Sequence, residues 1–267
     1  MTRPVTSRPV PDWMRALAEA VAVVPVSRVT RFAPPPEGGR AASVLMLFGS
    51  DAPAWETANG RPGQYGQATV AGPDVLLLER ASTMRSHAGQ PAFPGGGAEP
   101  GDGGTTGTAL REAAEEVGLD PASVEVVTAL PDLYLPPSDF VVTPVLGWWR
   151  EPHHVYAADP AEVARVVRVP VSELVDPANR LRVRHPSGYV GPAFTVRDML
   201  VWGFTAGILA TLLDLGGWAL PWDRSRVQEL PDSAVELAAR TRPPDAAGVD
   251  RAADVPPASL DTAEEAG

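Results

Sequence analysis

The sequence predicts an α+β domain, and three observations lead to this prediction. Apolar runs of strand length occur at residues 42–48, 75–79 and 140–149. Trp13, Leu17 and Val21 recur at helical spacing and form one apolar stripe. A glycine-rich turn at 93–97 precedes a helix-forming run that carries several carboxylates. The chain has 267 residues, which is long enough to bury a proper core around these elements.

Local signals predict the remaining elements. These are a strand at 124–130, a loop from residue 162 that turns into a strand ending at 170, a short helix or turn at 171–176, two short strands within 181–194, and a helix at 233–239. Thr195, with Asp198 three residues later, resembles a capping box. The apolar run that follows, 199–213, therefore predicts a buried helix.

Composition divides the chain into three parts. Residues 1–39 are expected to be an N-terminal extension with a short helix, residues 40–227 the main domain, and residues 228–267 a C-terminal extension. The last 25 residues are acidic and have the composition of a disordered tail. Residues 49–74 predict a long loop with some strand character at 67–70. Whether this loop is functional or a variable insertion is left open.

Three glutamates of the helix-forming run point to a metal site. Glu112, Glu115 and Glu116 project from largely one side of a helix, where like charges cost roughly 0.2–0.5 kcal/mol per pair. A divalent cation offsets this cost, because Mg²⁺ takes oxygen ligands and is shared between carboxylates and substrate phosphates. The alternative is that the three glutamates form an ordinary solvated face.

The surroundings of these glutamates favour the metal interpretation. Glycines at 95–97 allow the backbone to approach a ligand closely. Arg111 can pair with Glu115 at the i,i+4 spacing. Thr105 or Thr106 is expected to cap the helix, which then runs to about residue 117.

Basic side chains precede the glycine-rich turn. Arg80, Arg85 and His87 follow the predicted strand at 75–79. The arginine guanidinium group suits bidentate contacts to phosphate, so these residues are candidates for holding a polyphosphate. The alternative is that Arg80 pairs with a carboxylate and His87 stabilises the loop.

The run Arg111-Glu112-Ala113-Ala114-Glu115-Glu116-Val117-Gly118-Leu119 resembles the second half of the Nudix box. The family pattern is Gly-x5-Glu-x7-Arg-Glu-U-x-Glu-Glu-x-Gly-U, where U is apolar. The first half departs from it: the family glutamate falls on Gly103 and the family glycine on Gly97. Alignment on Gly96 instead places Asp102 at the acidic position, with one extra residue before Arg111. The role of Asp102 is left open.

Two further segments resemble the coenzyme A pyrophosphatase branch of the Nudix hydrolases. The first is Leu77-Leu78-x-Arg80-x4-Arg85-x-His87-x-Gly89-x3-Phe93-Pro94-Gly95-Gly96, where Glu79 and Ala81 replace the usual threonine and serine. The second is Trp202-Gly203-x-Thr205-Ala206, far along the chain. The resemblance implies a Nudix fold, a mixed β-sheet sandwiched between helices. It also implies cleavage of coenzyme A or acyl-coenzyme A to 3′,5′-ADP and 4′-phosphopantetheine or its acyl form.

The resemblance implies that Mg²⁺ or Mn²⁺ is the cofactor and that glutamates hold it. Glu115 and Glu116 are the expected main ligands. Glu112 either binds a second ion or acts as the base, and Glu162, in a late loop, is the competing base. Arg111 is expected to orient the glutamates through a salt bridge.

The resemblance also implies the substrate contacts. Gly95 and Gly96 are expected to supply backbone contacts to the metal or phosphate, and Arg80, Arg85 and His87 to bind the substrate. Two alternatives remain open. One is a Nudix hydrolase acting on ADP-ribose or dinucleoside polyphosphates, and the other is a non-catalytic Nudix domain that senses a nucleotide.

Charge and composition exclude several classes of partner and site. The net charge of −11 argues against a nucleic-acid surface, and the absence of cysteine excludes disulfides and thiolate metal sites. The apolar run at 199–213 is shorter than the roughly 20 residues of a membrane span. No signal peptide is visible at 1–10, so a cytoplasmic protein is expected. A homodimer is left open.

Overall fold

The structure is a computed structural model that describes residues 8–30, 32, 34–35, 38–50, 72–84, 88–136 and 138–239. The helices described are α1 (Asp12–Ala22), α2 (Thr105–Val117), α3 (Val171–Val175), α4 (Gly203–Leu215) and α5 (Asp232–Ala239). The strands through β6 are β1 (Arg40–Ser50), β2 (Pro73–Arg80), β3 (Pro91–Ala92), β4 (Gly95–Gly97), β5 (Val124–Ala129) and β6 (Leu133–Leu135). The later strands are β7 (Phe140–Trp149), β8 (Val163–Pro170), β9 (Arg180–Arg184), β10 (Val190–Val196), β11 (Met199–Val201) and β12 (Val227–Glu229).

Strand β1 is the centre of the larger sheet. It pairs in parallel with β7 and antiparallel with β2 and β4. The main order is β3-β2-β1-β7-β5, while β6 pairs with β7 and β8 pairs with β2. A smaller sheet has the order β11-β10-β9-β12. Parallel and antiparallel pairs thus occur in one sheet, as predicted.

The two faces of the larger sheet are covered by different helices. Successive side chains of a strand point to opposite faces, and β1 follows this rule. Leu45 and Leu47 pack with α2, whereas Met46 and Phe48 pack with α1 and α4. The predicted α+β class, with a sheet sandwiched between helices in α/β/α order, is confirmed.

The predicted helix at 199–213 is wrong in its first turn. Residues Met199–Val201 are strand β11, and α4 begins only at Gly203. The predicted capping box is also wrong, because Thr195 lies inside β10. Arg197 and Asp198 have φ of 51° and 58° and form a two-residue hairpin turn between β10 and β11. Left-handed conformation at both positions is the requirement of a tight hairpin whose twist matches its strands.

Other predictions agree with the structure. The strands at 124–130 and 163–170, the strand pair within 181–194, and the short helices at 171–176 and 233–239 are present with shifts of a few residues at most. Within the predicted loop at 49–74, β1 continues to Ser50 and β2 starts at Pro73. The strand character at 67–70 lies outside the described residues.

The proposed division at residues 39 and 227 stays a prediction. Met14, Leu17 and Val21 of the N-terminal helix belong to the main hydrophobic core. The second division falls within β12. Over the described residues, no helix combines the length and the apolar character needed to cross a bilayer.

Candidate active site

The glycine-rich turn is strand β4, which lies against β1. Gly95 pairs with Val44 and Gly96 with Ser43. A Cβ on Gly95 would stand 2.6 Å from the Val44 Cα, and one on Gly96 would stand 2.5 Å from the carboxylate of Glu112. Glycine is therefore required at Gly95 for contact with the β1 backbone, whereas a larger residue at Gly96 would displace a site carboxylate.

Helix α2 brings the acidic residues to this turn. It starts at Thr105 with Gly104 as its N-cap, at φ 107°, and no side chain caps it. The predicted threonine cap is thus wrong. Gly104 occupies the N-cap position, and no side chain there accepts a hydrogen bond from the first turn. The helix ends at Gly118, whose left-handed φ of 65° is that of a terminating glycine.

The three glutamate side chains differ in how far they are buried. The side chain of Glu115 is 60% exposed, that of Glu112 is 17% exposed, and that of Glu116 is 4% exposed. Glu112 and Glu116 are four residues apart and lie on the inward face, whereas Glu115 is at the rim. The prediction that all three share one side of the helix is therefore only partly correct.

Glu116 is the buried carboxylate of the site. It accepts a hydrogen bond of 2.9 Å from the backbone N–H of Gly95 and pairs with Arg80 Nη1 at 3.4 Å. Burial raises the pKa of Glu116 to about 7, and the nearby charges of Glu112 and Glu162 act in the same direction. Burial also raises the pKa of Glu112, and the charges of Glu115 and Glu162 contribute.

Arg111 forms ion pairs with two of these glutamates. Its Nη1 lies 2.9 Å from Glu115 Oε2, and its Nη2 lies 3.1 Å from Glu112 Oε1. Nη2 also donates to the carbonyl oxygen of Gly97 at 2.8 Å. The predicted pair of Arg111 with Glu115 is present, and the same guanidinium group also holds Glu112.

Asp102 is the residue whose role the sequence left open. It accepts from Arg111 Nε at 2.7 Å, from the Thr108 hydroxyl at 2.8 Å and from the Glu99 N–H at 2.9 Å. These bonds, the one from Arg111 first, hold the pKa of Asp102 well below its usual range. Asp102 therefore lies beside the acidic helix and is bound to Arg111, and its assignment to the acidic position of the Nudix pattern stays a prediction. The extra residue is accommodated by Gly103, at φ 73°.

Glu162 is held beside the helix by the segment that precedes it. Tyr156 N–H and Ala158 N–H donate to the carbonyl oxygens of Val117 and Glu116 at the end of α2. The carbonyl oxygen of Glu162 accepts from Ala81 N–H at 2.7 Å, while its side chain is exposed. The structure thus places this late residue close to the acidic cluster.

The predicted substrate residues are seen in part. Arg80 reaches Glu116, and its buried Nε has no hydrogen-bond partner among the described residues. Arg85 and His87 lie outside the described residues. The Gly95 N–H is directed at Glu116, so its predicted contact to phosphate stays a prediction, as does that of Gly96.

A divalent cation such as Mg²⁺ needs oxygen ligands, which the acidic residues can supply. In the described part of the chain, no three Asp, Glu, His or Cys side chains already converge as a metal cage. Mg²⁺ commonly takes only one or two carboxylates and completes its shell with water and substrate phosphates. A buried carboxylate with a raised pKa and two acidic neighbours is stabilised by a cation, so Glu116, with Glu112, fits this ion.

Comparisons with known proteins are consistent with this geometry. The family model of the NUDIX domain matches residues 67–190. An uncharacterized Nudix hydrolase NudL of Citrobacter koseri is 41% identical over 149 residues, which cover 53% of this chain and 74% of the relative. The NudL of an Enterobacter species is 41% identical over 147 residues, covering 52% and 73%. Among solved structures, the Nudix hydrolase RenU of M. smegmatis aligns with 72% of this chain and 97% of its own, at 18% identity and a TM-score of 0.44.

Proposed function

The chain belongs to the Nudix hydrolase family, and we propose that it is a Mg²⁺- or Mn²⁺-dependent pyrophosphohydrolase of coenzyme A or acyl-coenzyme A. Family membership supports hydrolysis of a phosphoanhydride bond. In the proposed reaction, water cleaves the phosphoanhydride of coenzyme A and yields 3′,5′-ADP and 4′-phosphopantetheine, or its acyl form.

One contact carries the assignment to coenzyme A. The buried hydroxyl of Thr205 donates to the carbonyl oxygen of Pro91 at 3.0 Å, across 114 residues of sequence. Thr205 belongs to the Trp-Gly-x-Thr-Ala segment, and Pro91 precedes the Phe-Pro-Gly-Gly turn. The two segments that resemble the coenzyme A branch are therefore in contact, which supports a common role in one site.

The metal would be held by Glu116 and Glu112 on the inward face, with Glu115 completing the set from the rim. When bound, such an ion lowers the pKa of the attacking water and neutralises charge on the phosphate oxygens. Phosphoryl transfer otherwise needs mainly positioning and charge stabilisation. Arg111 supplies positioning, because one guanidinium group fixes both Glu112 and Glu115.

Two residues compete for the role of general base. Glu112 is half-buried and already paired with Arg111, whereas the exposed side chain of Glu162 is free to face a water molecule. Glu112→Gln and Glu162→Gln separate the two roles. Loss of the base removes the acid limb of the pH–rate profile, whereas loss of a ligand raises the metal concentration required for activity.

The test compares coenzyme A with ADP-ribose and a dinucleoside polyphosphate, each with millimolar Mg²⁺ or Mn²⁺, with products separated by chromatography. Glu116→Gln is the control variant. Formation of 3′,5′-ADP, lost in the variant, is the expected result. Turnover of only the other substrates would overturn the coenzyme A assignment but keep the hydrolase. Nucleotide binding without any turnover would favour a nucleotide sensor.

A further inference from the structure

Arg180 is a buried cation at the start of β9 in the smaller sheet. The residue is 4% exposed, and its Nε is buried without a hydrogen-bond partner. Within the described ranges, its guanidinium group has no ion pair and no hydrogen bond. An arginine side chain stays charged in proteins, so the cost of burying this charge is not relieved by loss of a proton.

Two aromatic rings enclose the guanidinium group. Arg180 pairs across strands with Phe194 of β10, and its Cζ lies 5.2 Å from the centroid of the Phe194 ring. The ring of Trp222 lies at 4.8 Å. These cation–π contacts compensate part of the lost hydration, but they satisfy none of the N–H donors.

Charged side chains of both signs lie near Arg180. Burial lowers the pKa of Arg180, the charge of Asp214 opposes this shift, and the smaller influence of Arg224 adds to it. Asp214 is not within ion-pair distance. Arg226 contacts the backbone here, because its Nη1 donates to the carbonyl oxygens of Ala178 and Arg180, at 2.6 Å and 3.5 Å.

A buried guanidinium group with free donors between two aromatic rings is an arrangement that recognises an oxyanion. We propose that Arg180, with Arg224 and Trp222, forms a binding subsite for the phosphate or carboxylate group of a small molecule. The guanidinium fork matches both groups in a bidentate manner.

This subsite is separate from the acidic cluster. Arg180 belongs to the smaller sheet, whereas Glu112 and Glu116 lie on α2 against the larger one. A role in packing alone would be served equally well by an apolar side chain, because replacement of buried charges by apolar residues of similar volume is often neutral or stabilising. The buried charge of Arg180 is therefore better explained by a bound anion than by packing alone.

Inorganic phosphate is the first probe, and acetate distinguishes a phosphate from a carboxylate ligand. The full-length, metal-free protein is titrated with each anion against chloride at equal ionic strength, and tryptophan fluorescence and the melting temperature are followed. Saturable binding is expected, because Trp222 lies beside the guanidinium group. Arg180→Met should weaken it on the order of tenfold or more, and Arg224→Gln less.

Matched variants separate this subsite from other arginines. Arg184→Gln changes an exposed residue of the same strand that pairs with Glu229 at 3.2 Å. This variant should bind phosphate as the wild type does. Arg180→Lys keeps the charge but lacks the fork, so it should bind more weakly even if Arg180→Met does not fold.

Unchanged phosphate affinity in Arg180→Met or Arg180→Lys would overturn the proposal. So would the absence of saturable binding to the wild type with both anions. Neither readout involves turnover, so failure here is distinguishable from failure of the proposed hydrolase function.

Discussion

Asp102 and Arg111 form a two-point ion pair, with Arg111 Nε 2.7 Å from Oδ1 and Nη2 3.2 Å from Oδ2. The remaining donors of Arg111 reach Glu112 and Glu115. Asp102 thus acts on the acidic cluster only through Arg111. Its aspartate side chain is shorter than the glutamate of the family pattern, and it lies one residue farther from the helix in sequence than that glutamate would.

Asp102→Ala should lower activity while the fold is retained. Without its partner, Arg111 is free to rotate and no longer fixes Glu112. Misplacement of a site group by about 1 Å can cost on the order of 100-fold in rate, so we expect kcat/KM to fall roughly 10- to 100-fold. Steady-state kinetics with a pyrophosphate substrate measure this.

The control for this prediction is Glu99→Gln. Only the backbone N–H of Glu99 contacts Asp102, so its side chain should be dispensable. Wild-type kinetics in Asp102→Ala would show that Arg111 needs no support.

Gly96→Ala should lower the activity while leaving the stability of the fold nearly unchanged. The new methyl group would stand 2.5 Å from the Glu112 carboxylate, which is the mobile end of a flexible side chain. The fold can therefore adapt, but the carboxylate must move. We expect a loss of activity of roughly 10- to 100-fold and little change in melting temperature.

Gly97→Ala is the matched control, because no atom lies within 4 Å of a Cβ built at that position. Its kinetics should equal those of the wild type. Equal activity in the two variants would show that displacement of Glu112 has no consequence.

Because the pKa of Glu116 is raised, the stability of the metal-free protein should depend on pH. Its pKa is about 7 in the folded state against an ordinary value of 4.5 for a glutamate side chain, so between these values the folded protein binds more protons than the unfolded chain. The free energy of unfolding therefore falls as pH rises through this window. From pH 5 to pH 8 we expect the wild type to lose about 2 kcal/mol relative to Glu116→Gln.

Urea unfolding at the two pH values measures this difference, with a chelator present. Addition of Mg²⁺ at pH 8 should raise the melting temperature of the wild type and leave that of Glu116→Gln nearly unchanged. Equal pH dependence of the two proteins would contradict the burial of a carboxylate at this position.

Two ion pairs between β2 and β8 should differ in their contribution to stability. Arg168 and Asp74 are each 2% exposed and meet at 2.7 Å, whereas Arg165 and Glu79 are partly exposed. Breaking a buried pair leaves an uncompensated charge, so Arg168→Met should cost about 3–5 kcal/mol. Arg165→Met should cost at most about 1 kcal/mol. Denaturant midpoints of the two variants test this difference, and equal midpoints would refute it.

Patterns that depend on neighbours in sequence predicted the structure best. The strands and α2 follow from local periodicity, and the pair of Arg111 with Glu115 follows from helical spacing. The role of Asp102 could not be assigned, because it depends on how glycines with positive φ, such as Gly103, shape the loop. Likewise, spacing alone does not reveal that Glu116 is buried while Glu115 is exposed, since the depth of each residue is set by packing of α2 on β1.

The first part of α4 was mispredicted for a related reason. An apolar run is compatible with a helix or a strand, and the turn at Arg197 and Asp198 decides between them. Both residues adopt positive φ without being glycine, so no composition signal marks the hairpin. The structure places Glu162 near the acidic helix, and its role as a base, which family resemblance implies, stays a prediction.

The parallel pairing of β1 with β7 has a consequence for the order of folding. Arg40 is paired with Phe140, a hundred residues further on, and the glycine turn and α2 lie between them in sequence. A nascent chain therefore carries the whole acidic helix before β7, the parallel partner of β1, has been synthesised. Until then β1 has an open edge that is prone to association with other chains. Assembly of the site is thus a late event in biosynthesis, and slow translation upstream of residue 149 would prolong the vulnerable stage.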